Sequence, residues 1–414
     1  MQCYDRKIEL GHCLSLTELN FTHYNRFNEE IKPGDLPITL KKLSLGSIFN
    51  KALIHGSIPP QLEYLNLGEE FNKPLEEGIL PNSIKTLYLG VKFSQILKVF
   101  DLPKSLTNLI GIGNLKLQSP NVLNQLTQLI ELNLGNYYNH QIEVNYLPLN
   151  LKSLNLGSLN QSLIPNSLPN SITFLDMGKL YNHKLDINIL PKSLNHLIFS
   201  NEFNQSLCGG GGVGGDGSVG GGGDDADQNL IPINCSILEF SGNLNSSLVF
   251  GKDIIIPSSI KKLKIHLRNS KCIKVGSIPL TVVDLFLKGS LPLQIPIGMI
   301  PTSITTLHID FYGYQISPFV IPNSVINLSF DFYNQPLLEN SIPSSVVTLD
   351  LGKYFNHSIS SKNIPSSIRY LKLGLNFNHS ITDIFNITHL TIPSYFKYQL
   401  KQLKLPNLIS VTFL

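Results

Sequence analysis

Four histidines, His140, His183, His357 and His379, each directly follow an aromatic–Asn pair, and His357 and His379 lie 22 residues apart. Imidazoles at a fixed spacing could share a metal ion, because a neutral ring nitrogen is a common ligand. No third ligand is indicated, so the spacing reads as one surface position of a repeat. The run Gly212-x-Gly214-x-x-Gly217 has the spacing of a dinucleotide-phosphate turn. However, no helix follows it and no βαβ unit surrounds it. Gly211–Val219 partly matches a calcium-binding Gly-rich nonapeptide, but it occurs once and its apolar residue is out of register. Both candidates sit in one low-complexity segment, with 11 Gly in Gly209–Gly223 followed by Asp224-Asp225-Ala226-Asp227. That composition predicts a flexible loop insertion over 208–228. The frames HExxH, GxSxG and GxxxxGK[ST] are absent. The expectation is a chain without catalysis, cofactor or metal.

The five cysteines (Cys3, Cys13, Cys208, Cys235, Cys272) are odd in number and form no Cys-x-x-Cys, which suits reduced thiols. Composition is 42% hydrophobic and 15% charged, too apolar for disorder. A net charge of +3 offers no field that would recruit nucleic acid or a membrane. Met1–Lys7 lacks the apolar core of a signal peptide, and no run of 18 apolar residues occurs. These features predict a cytoplasmic protein. Nine Asn-x-Ser/Thr sequons, including Asn204, Asn356 and Asn378, read as by-products of a repeat that buries those Asn.

The elements that position these residues follow from a period of about 22 residues. Pro37, Pro59, Pro81 and Pro103 are spaced by 22, and the series resumes at Pro148, Pro169, Pro191, Pro232, Pro257, Pro279, Pro301, Pro322, Pro343 and Pro365. Each opens a segment Pro-x-x-[Ile/Leu/Val]-x-x-Leu-x-apolar. In Val346–Leu351 the leucines Leu349 and Leu351 alternate with Thr348 and Asp350, the mark of a half-buried strand. Strands recurring in one orientation must be parallel, so the chain is predicted to be a β-rich solenoid. The arrangement is that of a leucine-rich-repeat-like stack, with one parallel sheet on the open face. About 16 units fit between Cys13 and Asn386; residues 1–12 form a short lead and 387–414 a C-terminal cap. A degenerate sixth unit has Leu126 where Pro belongs.

Gly follows the strand at Gly46, Gly68, Gly90, Gly135, Gly157, Gly178, Gly352 and Gly374, which suggests a positive-φ or tightly turned position. An aromatic–Asn pair then recurs, with its Asn at Asn28, Asn50, Asn72, Asn139, Asn182, Asn204, Asn334, Asn356 and Asn378. The aromatic should fill the interior, and the Asn should form a ladder satisfying loop backbone groups. Pro and Ser at the start of each unit suit a fixed bend with a local hydroxyl–backbone bond.

The Phe-Asn pairs and the Ile-Pro steps at Ile256-Pro257, Ile300-Pro301, Ile321-Pro322, Ile342-Pro343 and Ile364-Pro365 resemble the FNIP-repeat family. The units opening at Pro257, Pro279 and Pro301 lack Phe-Asn, so the ladder is expected to break there. The resemblance implies a protein-interaction scaffold with no established chemistry. Some members carry an F-box or kinase segment, for which residues 1–12 are too few.

The outward strand positions are the functional candidates. Tyr64, Tyr88, Phe174, Asp176, Lys262, Lys264, Phe286, Asp350, Tyr370 and Lys372 are expected to form a binding face. Both charge signs favour a protein or peptide partner over nucleic acid. Two other readings are a substrate-recruiting or regulatory subunit of a ubiquitin-ligase or signalling complex, and a secreted ligand- or glycan-binding repeat protein.

Overall fold

The computed structural model describes residues 9–21, 26–111, 116–117, 119, 121–208, 230–242, 249–267, 273–289, 295–311, 313, 315–379, 381–384, 386–396 and 405–414. The Gly-rich segment with both of its candidate ligand motifs, Cys3, Cys272 and Met1–Lys7 lie outside the described residues. The chain divides into two compact units, Met1–Phe203 and Asn204–Leu414.

In the first unit the sheet strands are Glu18–Asn20, Lys42–Ser44, Tyr64–Asn66, Thr86–Tyr88, Asn108–Ile110, Glu131–Asn133, Ser153–Asn155, Phe174–Asp176 and His196–Phe199. Each pairs in parallel with the next, leucine opposite leucine, from Leu19↔Leu43 through Leu175↔Leu197. In the second unit the strands are Ile237–Phe240, Lys262–Leu267, Asp284–Gly289, Thr306–Phe311, Asn327–Phe330, Thr348–Asp350, Tyr370–Lys372, His389–Ile392 and Ser410–Phe413. Their pairings are again parallel and in register. The protein is thus a parallel-sheet solenoid. Residues 387–414, expected to form a cap, contribute the last two of these strands.

The central leucine of nearly every strand is buried, and its two neighbours face outward. A period-2 pattern on strands about 4.8 Å apart stacks these leucines into a column within each unit. Truncating one to Ala is the kind of core change that costs about 2–5 kcal/mol.

Behind the strand the aromatics form a second column. Phe27, Phe49, Phe71 and Phe93 are fully buried and stacked, with centroids 5.8, 6.1 and 6.2 Å apart. Tyr333, Phe355 and Phe377 repeat this in the second unit at 6.2 and 6.3 Å. The Asn ladder runs beside them. Asn28 Oδ1 accepts the Asn50 amide at 2.8 Å, and Asn50 Oδ1 accepts that of Asn72 at 3.0 Å. Asn139 accepts from Asn160 at 2.7 Å, Asn334 from Asn356 at 3.0 Å, and Asn356 from Asn378 at 2.9 Å. One expectation fails here. These Asn are half-buried or exposed rather than buried, because only Oδ1 must point at the next turn.

The Ser and Thr hydroxyls also differ from expectation. Instead of a local bond, Ser83, Ser105, Ser171 and Ser193 donate to the carbonyls of Leu62, Ile84, Leu151 and Ile172 in the preceding turn, at 2.6 to 2.7 Å. Ser303, Ser345 and Ser367 do the same in the second unit. The proline itself opens a tight turn, its carbonyl accepting the amide three residues on, as in Leu40 to Pro37 at 3.1 Å. Leu126 replaces it without loss, since the bond needs only a carbonyl (Leu129 N–H to Leu126, 2.9 Å).

The glycines after the strand have two reasons to be there. Gly68 has φ +86°, and a Cβ on it would overlap the carbonyl oxygen of Gly46 in the turn below. Gly374 lacks the positive φ, but its Cβ would collide with Gly352 in the same way. In three turns that lack this Gly, the strands Lys262–Leu267, Asp284–Gly289 and Thr306–Phe311 run on to six residues.

Candidate binding face

The outward side chains form rows across the strands. In the first unit one row passes through Glu18, Lys42, Tyr64 and Thr86, and the next through Asn20, Ser44, Asn66 and Tyr88. Tyr64 and Tyr88 lie diagonally, ring centroids 5.5 Å apart and planes tilted by 49°. Burial pushes the Tyr64 hydroxyl above its usual pKa, and the nearby Tyr88 adds to this. Both rings line a cleft of about 780 Å³ together with Glu18, Lys42, Asn66 and Glu69. Phe174 packs edge-on against His196 at 4.9 Å.

Asp176 is half-buried and held by structure. Its Oδ1 accepts the Gly178 amide at 2.8 Å, and its Oδ2 accepts Asn155 Nδ2 at 2.7 Å. Asn66, Asn133, Asn155 and Asp350 accept the amide two residues ahead in the same manner, at 2.7 to 2.9 Å. This side-chain turn is a role the sequence reading missed. Its signal is legible: Asn or Asp two residues before the Gly.

In the second unit a single row runs Glu239, Lys264, Phe286, His308, Ser329, Asp350 and Lys372 across successive strands. Lys264 pairs with Glu239 at 3.2 Å while its ammonium lies 5.3 Å from the Phe286 centroid. Phe286 stacks on His308 at 4.0 Å, and His308 Nδ1 contacts Ser329 Oγ at 2.5 Å. Burial lowers the His308 pKa below the ordinary 6.5, against a partial opposing pull from Asp310, Asp331, Asp350 and Asp284. Lys262 pairs with Asp284 at 3.1 Å, Lys288 with Asp310 at 3.3 Å, and Lys372 with Asp350 at 2.8 Å. Tyr370 is 46% exposed and stacks on His389 at 4.4 Å.

The structure therefore gathers the ten sequence candidates into local groups, not one site. Tyr64 with Tyr88 and Phe174 with Asp176 lie on the first unit. Lys262 with Lys264 and Phe286, and Asp350 with Tyr370 and Lys372, lie on the second. His308 and His389, which stack on two of these aromatics, belong to the face as well.

The recurring histidines pack edge-on against the buried aromatic of their own turn, at 5.6 Å for His140 and His183, 5.8 Å for His357 and 6.3 Å for His379. His183 Nε2 also meets the Asn160 carbonyl at 3.0 Å, and His357 Nε2 that of Asn334 at 3.2 Å. Among the described residues no three His, Cys, Asp or Glu are placed to hold a metal ion. No described helix is long and apolar enough to cross a membrane.

The family comparison matches the FNIP Repeat at residues 27–70, 71–110, 127–159, 138–180, 159–202, 181–208, 294–332 and 333–376, more than half of the chain. The chain belongs to the FNIP-repeat family. Among solved structures this FNIP-repeat protein is similar to CroV588, described as a novel circular LRR protein. The identity is 26% with a TM-score of 0.63, over 97% of this chain and 63% of that one. It is also similar in fold to TLR13 in its complex with ssRNA13, at 15% identity and a TM-score of 0.51, over 98% of this chain and 65% of that one. The chain thus spans less than two thirds of either structure's length. No curated protein matches it.

Proposed function

We propose that this FNIP-repeat protein is a non-catalytic scaffold that binds a protein or peptide on the outward face of its parallel sheet. The observation that carries this reading is the alternation of buried and outward side chains along most of the sheet strands. One set of side chains builds the leucine column, and the other presents aromatic, polar and charged groups in register at partial exposure. Rigid, half-exposed aromatics flanked by polar groups are what protein interfaces favour.

A nucleic-acid ligand, as in the TLR13 complex, fits this face less well. The outward rows of the first unit hold three carboxylates (Glu18, Glu131, Asp176) against one lysine (Lys42), which opposes phosphate. Each of the four lysines on the second unit's face already has a carboxylate partner. Residence in a reducing compartment is part of the proposal. Cys208 and Cys235 each donate a thiol hydrogen bond, to the Lys252 and Ile237 carbonyls.

The test is affinity capture from native extract, comparing wild type with a variant carrying Tyr64→Ala, Tyr88→Ala and Tyr370→Ala, both shown equally folded by circular dichroism. Proteins retained only by wild type are the expected result. Identical protein lists would overturn the assignment of this face.

A further inference from the structure

Resting on the open-face reading, we infer that the cleft over residues 18–111 takes a basic side chain, Arg or Lys, presented by an extended segment of the partner. Shape is the first argument. The cleft of about 780 Å³ runs from Glu18 to Gly111 across five successive strands. At a spacing of about 4.8 Å this is a length of about 19 Å, the reach of about six extended residues.

The glycines are the second argument. Gly46, Gly68 and Gly90 line the cleft at the strand ends. A Cβ on Gly68 or Gly90 would overlap the carbonyl of the turn below, so no larger residue can fill this side of the cleft. Glycine in such a place lets another backbone come close.

Charge is the third. The lining carries Glu18 and Glu69 against Lys42, a net −1. Lys42 reaches Glu18 only at 3.9 Å, with both side chains about 60% exposed (60% and 59%). So loose a pair exchanges readily, and an incoming cation can take its place. The tilted rings of Tyr64 and Tyr88 offer faces over which a guanidinium or ammonium is attracted. The second unit's face lacks such a surplus, because its four lysines meet carboxylates at 2.8 to 3.3 Å.

The test is fluorescence anisotropy with the full chain and a fluorescein-labelled peptide of alternating Ser and Arg, beside its Ser–Glu counterpart. The Arg peptide should bind, weaken as salt rises, and lose about tenfold in affinity with Tyr64→Ala plus Tyr88→Ala. The milder Glu18→Gln, at an exposed residue, should cost about threefold and guards against a folding artefact. Ile297→Ser, 68% exposed in a turn of the second unit and outside the sheet face, should leave binding unchanged. Equal binding of the Glu peptide, no binding of the Arg peptide, or binding unmoved by the cleft variants would overturn the inference. If affinity capture still yields a protein lost on Tyr370→Ala, the broader open-face reading survives that failure.

Discussion

At the scale of single residues, glycine after the strand is a steric requirement before it is a conformational one. Gly68→Ala places a methyl group on the Gly46 carbonyl, whereas Gly34→Ala meets nothing within 4 Å although both glycines have positive φ. Chemical denaturation should therefore show a loss of about 3 kcal/mol or more for Gly68→Ala and only about 1 kcal/mol for Gly34→Ala. A second left-handed position lies three residues before the repeat proline, filled by Gly34, Gly56, Gly78, Phe100, Asn145, Asn166, Asn188, Gly276, Gly298, Phe319 and Asn340. The period was read from the prolines, and this quieter Gly/Asn column was missed. Phe319 occupies it at φ 63° and is 69% exposed, so its ring gains little from burial there. Phe319→Asn should raise the denaturation midpoint, by about 0.5–1 kcal/mol of stability. His308 makes a pH prediction. Its folded pKa lies below the unfolded value, so the unfolded state binds more protons between the two. Stability should be full above the ordinary 6.5 and decline as pH falls through that value toward the folded pKa. Comparing denaturation midpoints at neutral and mildly acidic pH, His308→Gln should flatten this decline. An unchanged slope would show that His308 does not contribute to it.

At the scale of the element, the turn is held by bonds made to its neighbour more than to itself. The ladder Asn, the Ser hydroxyl and the ring stack all point one turn away. Asn50→Ala removes one amide acceptor and should cost about 1 kcal/mol, with faster hydrogen exchange at the Asn72 amide as the local readout. Asn72 should cost more, because its Oδ1 accepts from the Ser94 amide and from Gln95 Nε2, both at 2.9 Å. The sequence signal for this end of the ladder was weak, since Ser94 stands where Asn is expected after Phe93. The structure shows the aromatic stack continuing there regardless. In the units opening at Pro257, Pro279 and Pro301, the missing Gly is answered by longer strands. Those strands add the half-buried His266 and Lys288 and the buried Asp310 that pairs with Lys288.

At the scale of the whole molecule, stability is a sum over turns and their interfaces. Phe49→Ala, which empties a fully buried site between Phe27 and Phe71, should lower exchange protection most in the adjoining turns and less with each turn beyond. A uniform loss across Met1–Phe203 would mean that unit opens as one body. Sequence alone determined the repeat, the strand phase, the buried rings and the outward rows, because all of these are local and recur with one short period. Only the tertiary structure decided which outward residues meet. Lys264 with Glu239 and Phe286 with His308 become neighbours through strand register, which no single unit's sequence contains. The structure also decided what is already spent. Asp176 and Asp350 look like free surface charges in the sequence, but each has a carboxylate oxygen committed to a glycine amide. The cleft beside Tyr64 and Tyr88 likewise exists only once five turns are stacked and their glycines touch.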